Sequence, residues 1–218
     1  MKIRWLGHSM FLVTTLDGKK IVMDPYEPGG FHGALSYGAL RESADVVLVS
    51  HDHADHGYVQ GVPGNPMILR GAGKFVAAGL EFQGVDTQHD KSRGAERGRN
   101  TVFLFAVDGV KVCHLGDLGH VLTAEQAAAI GVVDVLLIPV GGTFTIGPDE
   151  AARVADQLAA KLIIPMHFKT PKVAFPIDSV DSFLAGKANV ERLSETEIEV
   201  TPEDLTGEPR IVVLRHAL

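Results

Sequence analysis

An apolar run of strand size, Val46 to Val49, is followed by Ser50 and then by His51, Asp52, His53, Ala54, Asp55 and His56. No other stretch narrows the choice of folds as far. Three imidazoles and a carboxylate stand in the pattern HxHxDH on a short turn, directly behind a segment that must be buried. Such a turn can aim its first two histidines at one metal ion and its Asp and third His at a neighbouring one. Neutral imidazoles offer lone pairs and the carboxylate offers charge, which a divalent ion needs once it leaves water. The sequence holds 10 His in 218 residues. A shuffled chain of that composition places three His and an Asp at these offsets roughly once in a thousand trials, so chance is a weak explanation. The fold must hold the end of a buried strand open to a ligand site.

The flanking sequence supplies more strands. Lys2–Leu6, Met10–Thr15 and Lys20–Asp24 read as a meander, with Asp17 and Gly18 as turn residues, and the Pro/Gly-rich segment from Pro25 to Gly38 reads as a loop. Arg41 to Asp45 is a short helical or turn element. Met67–Leu69 and Glu81–Thr87 are short strands, and the spacing of Gly73–Leu80 predicts a helix. Asp90 to Asn100, rich in Arg and Lys, has no apolar face and is expected to be a loop. Thr101–Val107 and Val110–Leu115 form a hairpin around Asp108 and Gly109. Thr123–Ile130 is a helix opened by a Thr123/Gln126 capping box, and Pro148–Lys161 is a second helix. Asp134–Val140 and Leu162–Met166 are continuous apolar runs, expected as strands buried on both faces. A helix at Asp178–Lys187 and strands near Val190–Leu193, Ile198–Thr201 and Arg210–Leu214 complete the chain. Hairpins mixed with strand–helix alternation imply an α/β architecture, with sheets covered by helices on their outer faces.

Three further polar residues lie where predicted strands end: His89, Asp117 and His167. In layered α/β folds the loops at one end of the strands form the ligand crevice, so separate strand ends converge on one site. The expected assignment is that His51, His53 and His89 hold one metal, Asp55, His56 and His167 hold the other, and Asp117 bridges them. His114 competes with His89 for the first site. Three residues before Asp117 on a strand, it should point to the other face unless Gly116 re-aims it. Asp55, Asp117 and His114 are the candidate catalytic residues. Asp24 is expected to orient the histidine loop. His8 and His120 are either proton carriers at the cleft mouth or hydrogen-bonded structural groups.

With these residues in place, the chain resembles the metallo-β-lactamase superfamily. The resemblance spans Asp24, the HxHxDH loop, the later His, the Gly116–Asp117 pair and the final His in Pro165–Met166–His167. The pieces Gly7–His8–Ser9, His114–Leu115–Gly116–Asp117 and Pro165–Met166–His167–Phe168 resemble more narrowly the UlaG-like, UPF0173-type metal-dependent hydrolases. The resemblance implies an αββα four-layer sandwich of two mixed β-sheets with helices on the outer faces, over residues 1–218 as one domain. It implies the same ligand roles as the strand ends do. Two relatives are excluded. The commonest β-lactamases offer Cys where Asp117 stands, and flavodiiron proteins replace the second His of the loop with Glu.

The nitrogen and oxygen donors suit Zn²⁺ first, with Mn²⁺ and Fe²⁺ as alternatives. Two such ions would lower the pKa of a shared water, so a metal-bridging hydroxide could cleave an ester, lactone or phosphodiester bond in a small substrate. The basic loop directly after His89 makes Arg97 and Arg99 candidates for binding an anionic substrate. The rivals are a mononuclear iron dioxygenase and a metal-binding protein without catalysis. A net charge of -7 gives no footprint for nucleic acid. No run reaches the ~20 apolar residues of a membrane span, and Met1 to Thr15 is a poor signal peptide. The single Cys113 forbids an intrachain disulfide. A cytoplasmic location is expected, with homo-oligomer formation left open.

Overall fold

The computed structural model describes residues 1–218. Strict two-residue alternation shapes the first sheet. Ile3 and Trp5, Phe11 and Val13, Ile21 and Met23, and Val46 and Leu48 face inward and join the large core. Leu6, Met10, Leu12, Val22, Val47 and Val49 face the other way into a smaller core of their own. The sheet has six strands in the order Glu197–Glu199, Lys2–Gly7, Met10–Thr14, Lys20–Met23, Val46–Val49 and Met67–Arg70. The first three pairings are antiparallel and the last two parallel.

The second sheet has eight strands: Val190–Arg192, Arg210–Val213, Leu162–Met166, Val135–Pro139, Val110–His114, Arg99–Val107, Leu80–Gln88 and Gly73–Ala77. The five from Val190–Arg192 to Val110–His114 run parallel. Leu162–Met166 and Val135–Pro139 are buried at every position, as apolar runs covered on both faces should be. The inner faces of both sheets merge into one continuous core. Each fully buried Leu, Val or Phe there contributes about 1.5–3 kcal/mol, so the sheets form a stiff frame for the loops at their ends.

The two mixed sheets of the expected sandwich are therefore present, but the helical cover is uneven. Ala124–Ile130 packs on Leu80–Gln88, and Pro148–Gln157 packs on Val135–Pro139 and on the short helix Val180–Leu184. Both gather on the eight-stranded sheet. The outer core of the six-stranded sheet is closed instead by irregular chain carrying Tyr26, Leu35, Tyr37, Val173 and Ile177. No helix is long and apolar enough to cross a membrane.

Local differences from the sequence reading have physical causes. Gly73–Leu80 is not a helix: Gly73–Ala77 pairs antiparallel with the strand that begins at Leu80. Ala78 (φ 50) and Gly79 (φ 75) form the two-residue turn with positive φ that matches strand twist. Arg41–Asp45 forms no helix. The helix from Pro148 stops at Gln157, before Ala159 at φ 48, and the one expected over Asp178–Lys187 contracts to Val180–Leu184. Arg99 and Asn100 are not loop residues but open a strand, paired with Gln88 and Thr87. The Thr123 capping box is present in both directions, at 3.2 and 3.0 Å.

Parallel strands place their ends together. Asp24, the His51–His56 turn, Asp117 and His167 each follow a strand on the same edge of the sandwich. The antiparallel pairing of Leu80–Gln88 with Arg99–Val107 brings His89 to that edge as well.

Candidate metal centre

Asp24 organises the histidine turn. Its carboxylate, almost fully buried, accepts hydrogen bonds from the Ser50 backbone N–H and the Ser50 hydroxyl at 2.7 Å each, and from His56 Nδ1 at 2.7 Å. These bonds fix the orientation of two rings. A carboxylate only accepts, so His56 carries a proton on Nδ1 and turns Nε2 toward the cluster, where a cation would take the place of a second proton. The Ser50 hydroxyl gives its proton to Asp24 and so accepts from His51 Nδ1 at 2.9 Å, leaving the Nε2 of the neutral His51 ring bare. Replacing Asp24 with Ala would strip both rings of their orientation. Metal affinity is expected to fall about 10- to 100-fold, read by competition against a chelator of known strength; unchanged affinity would show that the ring orientation does not depend on Asp24.

These ring nitrogens converge. His56 Nε2 and His89 Nε2 lie 3.2 Å, and His167 Nε2 3.4 Å, from Asp117 Oδ2, with His51 Nε2 at 3.9 Å. His51 Nε2 and His53 Nδ1 stand 3.0 Å apart. The potential ligand atoms fall into two clusters, His51 with His53 and His89, and His8 with Asp55, His56 and His167. Asp117 groups with His51 and His56 between them. Its backbone N–H is fixed at 2.9 Å by Asn100 Oδ1.

This donor set fits divalent ions. His56 Nε2 and Asp117 Oδ1 are buried with no hydrogen-bond partner, and an unpaired buried polar atom costs free energy that bound cations would recover. Two glycines let the ligand strands close in. A Cβ at Gly141 would lie 2.2 Å from the His167 carbonyl oxygen, and one at Gly119 would lie 2.3 Å from the His89 backbone.

The electrostatics are divided within a few ångströms. Burial lowers His51 to about 3 and His8 to about 4, with His56 and His167 respectively adding to the shift, so both rings are neutral at pH 7. Burial also acts on His56, but the surrounding carboxylates of Asp117, Asp55 and Asp24 outweigh it and raise its pKa well above the ordinary value. For Asp117 and Asp55 burial acts upward and is overcome by the facing imidazoles, which hold both carboxyls below the usual range. The cluster thus favours positive charge at His56 beside two ionised carboxylates, a charge that a bound cation would replace.

The structure thus brings together His51, His53, Asp55, His56, His89, Asp117 and His167. It does not bring His114 there. Its Nε2 donates to the Ser9 carbonyl at 2.9 Å and its Nδ1 accepts from the Gly116 N–H at 3.1 Å, so the ring is neutral and fully used in holding loops. As a candidate catalytic group it is corrected to a structural one, because its strand position turns it behind Asp24. His120 is likewise spent, between the Gln88 N–H and the Val121 carbonyl. His8 is not at a cleft mouth. It is fully buried, 3.2 Å from Asp55 Oδ2, with its ring 4.1 Å from that of His167. Its position just past the first strand, on the same edge as the other ligands, was the signal available for it.

A cavity of about 590 Å³ opens over Asp55, His89, Asp117 and His167. Arg97 lines it; Arg99 does not, being paired with Asp86 at 3.2 Å and largely exposed on its strand. The aromatic residues Phe31, Phe144 and Phe175 also line it, and sequence reasoning missed them because isolated Phe residues in Gly/Pro-rich loops carry no periodic signal.

A β-lactamase superfamily domain model matches residues 2–167. A UPF0173 metal-dependent hydrolase of Methanoculleus marisnigri is 32% identical over 195 residues, covering 78% of this chain and 82% of the relative. One from Thermococcus onnurineus is 30% identical over 224 residues, covering 91% and 98%. A crystal structure of a metallo-β-lactamase superfamily protein from Thermotoga maritima is similar at TM-score 0.80 and 42% identity, covering 98% of this chain and 97% of that one.

Proposed function

This chain belongs to the UPF0173 metal-dependent hydrolases of the β-lactamase superfamily, and from that premise we propose that it uses two divalent ions to hydrolyse an ester, lactone or phosphodiester bond in a small substrate. The observation that carries this reading is the placement of Asp117 Oδ2 among the Nε2 atoms of His56, His89 and His167, at 3.2–3.4 Å. His51, His53 and His89 would hold one ion, Asp55, His56 and His167 the second, and Asp117 both, with Zn²⁺ the first choice and Mn²⁺ or Fe²⁺ alternatives. When bound, such a pair supplies a water-derived nucleophile at neutral pH and polarises the scissile carbonyl or phosphoryl oxygen.

The chain's own groups have separate tasks. Asp24 and Ser50 hold the Nδ1 sides of His51 and His56, so that both rings turn Nε2 toward the cation site. Asp55 and Asp117 stay ionised at pH 7 and bring two negative charges to the cation site. The buried His8 braces Asp55 from behind at 3.2 Å. Arg97 stands on the cavity wall, where an anionic part of the substrate would lie. Turnover in ¹⁸O-labelled water tests the reading: each cleavage should place one solvent oxygen in product with no consumption of O₂. Oxygen uptake coupled to product, or product oxygen that is unlabelled because it comes from O₂, would instead establish the iron oxygenase.

A further inference from the structure

The cavity wall carries information that the metal ligands do not. Phe31 and Phe144 both stand nearly perpendicular to Phe175, at 84° and 76°, with centroid separations of 5.3 and 5.9 Å. Aromatic pairs prefer edge-to-face contacts at such distances, so these three rings offer edges and faces to a fourth. Phe31 is held there against its backbone preference. Its φ of 53° and ψ of 49° are left-handed, as are those of the next residue, His32, and the loop is released into this shape by Gly29 and Gly33, both at positive φ. A ring that is 47% exposed adds little to a core. Strain of this kind persists where it positions a side chain for use.

The second element is Arg97. Its guanidinium lies 5.6 Å from the centroid of Phe144, and its one ion-pair contact is to Glu96 at 3.7 Å. A guanidinium lying over a ring keeps its N–H groups available at the edge for an anion. The loop that carries it is built around Asp90, whose buried carboxylate accepts the backbone N–H groups of Ser92, Gly94, Glu96 and Arg97 at 2.8–3.1 Å. Arg97 is therefore placed by a rigid turn and not by a flexible surface tail.

We propose, deepening the hydrolase reading above, that the substrate is a small anion bearing an aromatic group: the ring enters the box of Phe31, Phe144 and Phe175, and the anionic group faces Arg97 beside the scissile bond. Four carboxylates line the cavity, Asp55 and Asp117 among the metal ligands and Asp52 and Glu96 beside them, and would repel such an anion by themselves, so its recognition belongs to the metal-loaded protein.

The test is calorimetric titration of the zinc-loaded protein with phenylphosphonate and methylphosphonate, which share a head group and differ by the ring. Phenylphosphonate is expected to bind about 10-fold tighter or more. Phe31→Gly, which suits the positive φ and should fold without penalty, and Phe175→Ala should each reduce that ratio to about 3-fold or less. Arg97→Gln should weaken both ligands about 10-fold and leave the ratio intact. A ratio near one in the parent, or a ratio that survives both Phe substitutions, overturns the proposal. Because binding is read without turnover, a protein that shows the ring preference yet hydrolyses nothing defeats the hydrolase reading alone. One that hydrolyses without the preference defeats the substrate class alone.

Discussion

Replacing Asp117 with Ala is expected to lower turnover about a thousand-fold. The substitution removes the one carboxylate oxygen that lies within 3.2–3.4 Å of three imidazole nitrogens from separate strands. The two dications of the proposed centre would need a negative charge between them. The Lewis-acid contribution of such ions is worth several kcal/mol, and each 1.36 kcal/mol lost is a factor of ten in rate. Asp117→Asn keeps the shape and the Asn100 contact to the backbone N–H but not the charge, and should be nearly as slow. The measurement is kcat on any ester, lactone or phosphodiester that the parent turns over, beside a melting curve to show that the variant is folded. A folded variant within tenfold of the parent would remove Asp117 from the machinery.

Stripping the metals should lower Tm by about 8–16 °C. A ligand present at a thousand times its Kd stabilises by about 4.1 kcal/mol, and for a chain of this length each kcal/mol moves Tm by about 2–4 °C. The buried atoms left without partners, His56 Nε2 and Asp117 Oδ1 among them, are the physical source of the loss. The metal-free protein should also have a narrow pH optimum. His51 and His8, lowered to about 3 and about 4 by burial first, stay neutral in the fold while the unfolded chain takes up protons below about 6.5. Stability therefore falls as pH drops from about 6.5 toward 4. His56, raised above its ordinary value, contributes stability that is complete below about 6.5 and is lost as pH rises through its folded pKa. Melting curves across pH with and without a chelator read both effects. A metal-free protein with the same Tm as the loaded one would show that the centre is not a binding site.

What the sequence disclosed follows from which physical signals are local. The HxHxDH turn behind Val46–Val49, and a His or Asp directly past each apolar run, are visible in one dimension because parallel strands put their ends on one edge. The Asp108–Gly109 turn and the Thr123 capping box are short-range chemistry and were equally legible. The stretch Gly73–Leu80 misled because Phe75 and Ala78 have helical spacing, while the turn that splits it rests on positive φ at Ala78, a non-glycine residue. His114 was ambiguous for a related reason: which face it takes depends on Gly116, and both of its ring nitrogens are spent on backbone partners, Ser9 being a hundred residues away. Arg97 and Arg99 were indistinguishable until the register with Gln88 placed Arg99 on a strand and left Arg97 on the Asp90 turn. The aromatic wall is assembled from three distant loops, and nothing within any one of them announces it.

The most direct test is elemental analysis of the protein purified without added metal, repeated on Asp117→Asn. The two clusters joined by Asp117 call for close to two divalent ions per chain, falling to one or fewer in the variant. A single iron per chain, or a metal content that Asp117→Asn leaves untouched, would contradict the two-ion centre.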